Sequence, residues 1–316
     1  MSIMLYLNTS TRRFRMKNRL QAALWGAFYG DAYALGAHWL YDTQQISKSA
    51  FDAKQFNDPL SDYHPGKTAG DFTHYGDQML WLLDAIAHDE NFSIQTFSTT
   101  WRANMREYTG YVDGASKHTL QELSNGKNSL GCGSSSHDLS VVGRMMPLIY
   151  AYHNNMDKMM EYVKLHTVFT HMTKELVESA AYFNELIMAT SMGADIARSI
   201  EDIALAYSES LQKWVAQGVT KAETHEPIEA IKALGQSCSV EGGFAAVIYL
   251  LVRFSDFQEA MEANVLSGGD SAARGMLVGA VLGASGGMEV LPFNYNAMSN
   301  ANEISKYIEM IDAKNA

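Results

Sequence analysis

Cysteine and proline are scarce in this chain of 316 residues. The two cysteines, Cys132 and Cys238, lie far apart, so neither a disulfide scaffold nor a zinc cluster is indicated, and a reducing compartment such as the cytoplasm is expected. Only five prolines occur, and no Pro-rich or Gly/Ser-rich stretch is long enough to form a linker. We therefore predict one compact domain over residues 16–316.

Basic residues are also in deficit. The chain has 24 Lys and Arg against 35 Asp and Glu, a formal net charge of −11, so we expect no nucleic acid partner. No apolar run reaches the ~20 residues that a membrane-spanning helix needs, so we expect no membrane partner. Hydrophobic residues make up 47% of the chain, which is enough for a large core.

The first 30 residues contain no acid, and their basic residues invite a comparison with a targeting helix. A secretory signal fits badly, because the apolar segment 3–7 precedes the charges instead of following them. We expect residues 1–15 to form a flexible leader before the folded domain.

Apolar residues recur with helical spacing through most of the chain, and no run of alternating strands or repeat of fixed period is present. This pattern predicts an all-α fold. Segments 42–75 and 110–136 are rich in turn residues and are expected to be irregular. Helices are predicted at 18–37, 77–86, 93–108, 138–165, 172–192, 195–217, 227–235, 241–254, 256–266, 270–284 and 301–313.

The segment 270–284 is apolar on nearly every face, which predicts a helix through the interior. Its glycines at every fourth position, Gly275, Gly279 and Gly283, form a groove for the small residues of the first helix. That packing is expected to place Asp31 near Asp270.

Asp270 stands at the start of this buried helix, after Gly268 and Gly269. The simplest interpretation is that Asp270 caps the helix. The alternative is a functional site, because the glycines allow close approach to a ligand and a buried acid is costly unless it is paired, capped or bound to a metal. The position favours a site centred on Asp270.

A second polar cluster spans residues 70–79, where Asp71, His74, Tyr75 and Asp77 lead into a helix. These side chains offer ligands or acid/base groups. Equally, Asp77 can be the N-cap while His74 and Tyr75 pack or face solvent.

The loop from Cys132 to Asp138 combines a thiol and serines with His137. A nucleophile and its base normally converge from distant segments, so this adjacency favours a turn or binding loop.

Taken in order, several segments resemble those of the ADP-ribosylglycohydrolase family. They are Gly30-Asp31-Ala32, Leu35-Gly36-Ala37, Asp77-Gln78-Met79, Arg144-Met145-Met146-Pro147, Thr170-His171 and the stretch from Asn264 to Asp270. The resemblance spans roughly residues 18–290. Within the family, the chain looks closest to the branch that contains the J1 crystallins and selenoprotein J. The segments that indicate this are His38-Trp39-Leu40-Tyr41-Asp42, Asp113-Gly114-Ala115-Ser116-Lys117 and residues 134–139.

The resemblance implies an all-α fold that binds two magnesium ions and uses a metal-activated water to cleave an N- or O-glycosidic bond of ADP-ribose. A small-molecule or ADP-ribosylated substrate follows from it. The family's first metal motif, Thr-Asp-Asp-Thr-Gln-Met, aligns with residues 74–79 and places His74, Tyr75 and Gly76 where a Thr and two Asp ligands stand.

The second motif, Gly-Gly-Asp-Thr-Asp-Thr, retains Asp270 but has Ala272 and Ala273 at its later ligand positions. The acid that follows the opening helix falls on Leu40, with Asp42 nearby. Magnesium is held by carboxylates and water in octahedral geometry. We therefore expect no two-metal site of the usual form, with Asp270 the one metal position retained.

The resulting hypothesis is a hydrolase in which Asp270, Asp31 or Asp71 activates a water directly, with His74 or His38 as proton shuttle. Further substrate-binding candidates are Tyr75, Asp77, Gly269, Ser271, Arg274, His38, Asp42 and His171. The alternative is a non-catalytic binding or structural protein, crystallin-like, on the same scaffold.

Overall fold

The computed structural model describes the backbone of residues 2–315 and the side chains of residues 15–315. Nearly all of the leader expected at residues 1–15 lies outside the described side chains and stays a prediction. The helices are α1 Ser2–Ala34, α2 Thr43–Lys48, α3 His74–His88, α4 Ile94–Glu107, α5 Gly114–Ser124, α6 Ser140–Gly143, α7 Met146–Tyr152, α8 Met156–Thr170, α9 Lys174–Ser191, α10 Ile196–Ala204, α11 Glu209–Thr224, α12 Pro227–Leu234, α13 Val240–Arg253, α14 Phe257–Leu266, α15 Ser271–Gly286 and α16 Ala301–Lys314.

The predicted all-α class is confirmed: between residues 2 and 315 the chain forms helices, turns and loops, and no strand. Three isolated backbone bridges join loops that are distant in sequence. They pair Leu40 with Gly269, Ser134 with His171, and Asp138 with Ser239. Within the same residues, no helix combines the length and the apolar character that crossing a membrane requires.

The centre of the molecule is the predicted contact between α1 and α15. Residues 271–284 of α15 are all buried. A Cβ atom added to Gly26 would overlap the carbonyl of Gly279, and one added to Gly30 would overlap the carbonyl of Gly275. The two helices therefore touch backbone to backbone, at a separation that only glycine permits. Around this pair, α15 also packs against α6, α9, α13 and α14.

The start of α3 differs from the prediction. Asp77 is not the N-cap: α3 begins at His74, and the Thr73 hydroxyl accepts a hydrogen bond from the Tyr75 amide. The Asp77 amide already donates to the Thr73 carbonyl, at 3.0 Å. Threonine is a preferred cap, and its position one turn earlier brings His74 and Tyr75 into the helix.

Further boundaries differ from the sequence pattern. The predicted helix 195–217 is divided into α10 and α11, because the Ser208 side chain caps α11. The predicted helix 138–165 is divided into α6, α7 and α8, since Pro147 in the first turn of α7 lacks an amide hydrogen and the Asn155 side chain caps α8. Segment 110–136 contains α5, which Asp113 caps. Segment 42–75 contains α2, which Asp42 caps. These two caps were hidden among turn residues.

Candidate active site

Loops from three parts of the chain converge on the first turn of α15. The Trp39 amide donates to the Gly269 carbonyl at 2.8 Å, and the Gly269 amide donates to the Leu40 carbonyl at 2.7 Å. The Asp270 amide donates to the Gln236 carbonyl at 2.7 Å. The entry to α15 is therefore fixed by backbone bonds on both sides.

Gly268 and Gly269 are required for this geometry. Their φ angles of 66° and 69° lie in the left-handed region, and a Cβ on either would overlap the carbonyl of Leu40 or Gln236. The close approach that the sequence suggested is thus to neighbouring backbone.

Asp270 is both a helix cap and part of a polar centre. Its side chain is buried, and its Oδ1 accepts a hydrogen bond from the Ala273 amide at 3.2 Å. The Tyr75 hydroxyl lies 3.4 Å from its Oδ2, and His38 Nε2 lies 3.5 Å from its Oδ1. Asp270 therefore has the cap that the sequence allowed, and its role in a functional site stays a prediction.

The Tyr75 hydroxyl also lies 3.4 Å from Asp138 Oδ2, so it bridges two carboxyl groups through long hydrogen bonds. Burial, reinforced by the charge of Asp138, raises the pKa of Asp270 to about 7. Burial also raises the pKa of Asp138, and it keeps the pKa of Tyr75 well above its usual range.

The phenol has one proton to donate, so it can serve only one of the two carboxylates at a time. Two unprotonated carboxylates would repel each other in this buried setting. The arrangement therefore favours a state near neutral pH in which one carboxyl is protonated and the other is ionised. Such a pair can both deliver and accept a proton.

Cys238 completes the group. Its Sγ and one carboxylate oxygen each of Asp138 and Asp270 lie within 4.8 Å of one another. Burial and the neighbouring charge of Asp138 raise the pKa of this thiol. Sequence reasoning missed Asp138 and Cys238 as site residues, although Asp138 lies in a segment that carried the family resemblance; Cys238 has no local motif.

His38 Nε2 faces Oδ1 of Asp270, whereas Tyr75 contacts Oδ2. The His38 ring is fully buried, and neither ring nitrogen has a hydrogen-bond partner within residues 15–315. Burial holds the pKa of His38 well below its usual range, so the imidazole is neutral. Trp39, the next residue, has a φ of 64°, a conformation uncommon outside glycine and often found at functional sites.

His74 belongs to an adjoining network. Its Nε2 lies 3.7 Å from Asp113 Oδ2, while its ring packs beside Tyr75 with centroids 4.1 Å apart. Burial lowers the pKa of His74. Burial alone would raise the pKa of Asp113, but His74 and Arg144 lower it overall, so we assign Asp113 as the carboxylate.

The same network includes a buried arginine. Arg144 Nη1 donates to Gln78 Oε1 at 2.5 Å, and Nη2 reaches Thr170 Oγ1 at 3.4 Å. His171 is buried, with its Nδ1 2.8 Å from the same Thr170 hydroxyl. Burial lowers the pKa of His171 as well.

Asp31 is directed toward the start of α3. It is fully buried and accepts two hydrogen bonds from Thr73, one from the amide at 2.8 Å and one from the hydroxyl at 2.6 Å. Burial raises its pKa to about 7. Asp77 lies nearby and pairs with Lys67 and Tyr108, at 2.6 and 2.5 Å.

Asp71 and Asp42 stabilise loops at the surface. Asp71 accepts hydrogen bonds from Thr68 and from the Ser299 hydroxyl, and so ties two loops together. Asp42 is exposed and caps α2, where its Oδ1 accepts from the Gln44 amide at 3.0 Å. Neither contact involves the Asp270 group.

Ser271 and Arg274 lie inside the first turns of α15, and both are buried. Arg274 donates to Asn264 at 2.9 Å and to the Gly268 carbonyl at 2.5 Å, so it holds the glycine turn in place. Burial lowers the pKa of Arg274 to about 10.

Aromatic rings border the polar centre where the chain is more exposed. Trp39 packs edge-on against Tyr63 and Tyr111, with centroids 5.1 and 4.9 Å apart. Tyr63 is 52% exposed, while Trp39 and Tyr111 are half-buried. Lys117 Nζ lies 5.7 Å from the centre of the Tyr111 ring. We call Trp39, Tyr63 and Tyr111 the aromatic rim.

The family model described as ADP-ribosylglycohydrolase matches residues 12–314. The chain belongs to the ADP-ribosylglycohydrolase family. This confirms the family suggested by the sequence.

Among relatives of this ADP-ribosylglycohydrolase family member are two crystallins of Tripedalia cystophora. Crystallin J1A is 21% identical over 93% of this chain and 96% of its own length. Crystallin J1B is 21% identical over 94% of this chain and 97% of its own length. A solved structure titled ADP-ribosylglycohydrolase-related protein complex superposes with a TM-score of 0.71 at 18% identity, covering 96% and 99% of the two chains, which shows a shared fold.

The donor atoms of the centre do not fit the magnesium ions that the family resemblance implies. Magnesium takes oxygen ligands in octahedral geometry. Here the converging set contains a thiol, and the family's other ligand positions carry Tyr75, Gly76 and Ala272. We assign no step to magnesium.

Proposed function

We propose that this protein is a hydrolase that cleaves a glycosidic bond of an ADP-ribosyl or related nucleotide-sugar substrate. The observation that carries the proposal is the pair formed by the half-buried Asp138 and the buried Asp270, bridged by the Tyr75 hydroxyl, on a scaffold of the ADP-ribosylglycohydrolase family. We keep the cytoplasm as the proposed location.

Glycosidic bonds break with two carboxyl groups, one acting as an acid on the leaving group and the other as a carboxylate toward water or the developing sugar cation. The protonated member of the Asp138 and Asp270 pair supplies the acid, and the ionised member supplies the carboxylate. The Tyr75 hydroxyl, which contacts both carboxyl groups, keeps them close to each other. Asp138 is half-buried, which leaves it on the side that a substrate reaches.

The aromatic rim and Lys117 suit the rest of such a substrate. A planar base can stack on an aromatic face, and a lysine can face a phosphate. His38 is the proposed proton shuttle, because it is the imidazole beside Asp270. In this proposal Asp31 and His74 position Thr73 and Tyr75 at the start of α3 rather than react.

The experiment is to incubate the full chain with ADP-ribosyl-arginine, ADP-ribosyl-serine and O-acetyl-ADP-ribose, and to measure released ADP-ribose by chromatography. Asp270→Asn should reduce the rate by roughly 10²- to 10⁴-fold, the usual contribution of a general acid or base. Asparagine caps helices as well as aspartate does, so the fold is retained.

A matched control is Asp256→Asn. Asp256 is also a helix cap, accepting from the Glu259 amide at 2.9 Å, but it is exposed at the start of α14. Its rate should equal that of the unaltered protein. Release that survives Asp270→Asn would refute the assignment.

The second candidate is a non-catalytic binding or structural protein, and the specific support for it is the full-length similarity to crystallins J1A and J1B. A rise in melting temperature with ADP-ribose, combined with no release from any of the three substrates, would favour binding. The absence of both a melting-temperature shift and ADP-ribose release would favour a structural role.

A further inference from the structure

The group formed by Asp138, Cys238 and Asp270 combines two kinds of donor atom in one place. One oxygen from each carboxylate and the Cys238 sulfur lie within 4.8 Å of one another. Among the described side chains, this is the one group of three or more His, Cys, Asp or Glu residues whose ligand atoms lie this close together. It assembles residues from three distant segments, which is why cysteine spacing in the sequence did not indicate it.

Backbone bonds join the loops that carry Asp138 and Cys238. The Leu139 amide donates to the Cys238 carbonyl at 2.9 Å, and the Val240 amide donates to the His137 carbonyl at 2.7 Å. Zinc bonds of about 2.0–2.3 Å place tetrahedral ligand atoms roughly 3.5 Å apart. Binding therefore requires these side chains to reduce the spacing of their ligand atoms from at most 4.8 Å to about 3.5 Å.

His38 gives a second, independent indication of a ligand. It is fully buried, its Nε2 lies 3.5 Å from Asp270 Oδ1, and both ring nitrogens are without hydrogen-bond partners in the described part of the chain. A buried polar atom without a partner is costly. An ion beside Asp270 would give this imidazole a partner.

We propose that Asp138, Cys238 and Asp270 bind a zinc-type divalent ion, with His38 as the imidazole that completes the set after a small rotation of its ring. Thiolate and imidazole ligands select zinc and similar transition ions over magnesium. On binding, the Cys238 thiol releases its proton to solvent and the sulfur forms the metal bond, with no change in oxidation state. With the ion bound, Asp138 and Asp270 are ligands and neither carries the acid proton, so the metal-bound form is an alternative to the acid–base pair of the proposed function and is independent of hydrolysis.

The test is a titration of the metal-free full chain with Co²⁺, followed by absorption. A cobalt–thiolate charge-transfer band in the near ultraviolet should grow to one equivalent, and Zn²⁺ should displace it. Magnesium at the same concentration should leave the band unchanged. Absence of the band, or its displacement by equal magnesium, would overturn the proposal.

Two cysteine variants provide the matched comparison. Cys238→Ser should abolish the band and weaken zinc binding by about 100-fold or more, since even the loss of an outer partner costs about 10- to 100-fold. Cys132→Ser should retain the band, because Cys132 is buried elsewhere with its Sγ toward the Phe169 carbonyl. A band lost in Cys132→Ser and kept in Cys238→Ser would contradict the assignment.

His38→Gln tests the fourth ligand while leaving the thiolate in place. The band should remain, with weaker cobalt affinity, and circular dichroism should confirm that each variant is folded. Unchanged affinity would remove His38 from the site. Because cobalt absorption is read without substrate, its failure is distinguishable from a failure of ADP-ribose release.

Discussion

Asp31 and Asp270 are both buried beside the contact between α1 and α15, and burial raises the pKa of each to about 7. Their surroundings differ. Asp31 receives two short hydrogen bonds from a single neighbour, Thr73, whereas Asp270 shares the Tyr75 hydroxyl with a second acid and faces Cys238 and His38. A raised pKa therefore does not by itself mark a site; the groups around the carboxyl decide.

The most destabilising substitution expected breaks the helix contact that both aspartates share. Gly30→Ala places a methyl group on the Gly275 carbonyl and should lower the free energy of unfolding by about 3 kcal/mol, as overpacking does at its upper end. Urea unfolding measures the change. Gly114→Ala is the control: the added methyl group has no atom within 4 Å, so the substitution should be neutral or slightly stabilising. Equal stability of the two variants would contradict the close backbone contact.

The pH dependence of stability sharpens the comparison. In the unfolded chain both carboxyls titrate near their usual pKa of 3.8, and in the folded chain near 7. The folded state thus retains protons that the unfolded state loses, and the unfolding free energy should fall as pH rises from about 4 to about 7, by about 1.4 kcal/mol per pH unit for each such proton.

Asp31→Asn should make the dependence of the unfolding free energy on pH shallower by the contribution of about one proton, or about 1.4 kcal/mol per pH unit. Asp270→Asn should change it over a broader pH range, because Asp270 and Asp138 titrate as a pair. Urea unfolding at several pH values between 4 and 8 measures both. A slope that neither substitution alters would mean that these carboxyls are ionised in the folded protein throughout.

The smallest effect concerns Asp42, the residue nearest to the family's lost acid position. If it acts only as the cap of α2, Asp42→Ala should cost about 1 kcal/mol of stability and leave ADP-ribose release unchanged. Asp42→Asn should restore the cap. A loss of release without a loss of stability would instead place Asp42 in the substrate site.

The helical class, the burial of α15 and its contact with α1 can all be predicted from the sequence, because apolar periodicity and glycines at every fourth residue are local patterns with a direct packing consequence. The sequence also predicted a site at Asp270, and that role stays a prediction. Helix caps were harder to predict from the sequence. Thr73 and Asp77 are both suitable N-cap residues, and the structure shows that Thr73 is the cap, with His74 and Tyr75 buried in the helix.

Which groups face Asp270 depends on the packing of segments that are distant in sequence. Asp138 and Cys238 come from loops that a backbone bridge between Asp138 and Ser239 aligns, and Tyr75 reaches them from another helix. No spacing along the chain encodes those distances. Burial, which raises the pKa of Asp270 and leaves His38 without hydrogen-bond partners among the described residues, likewise exists only once these segments pack together.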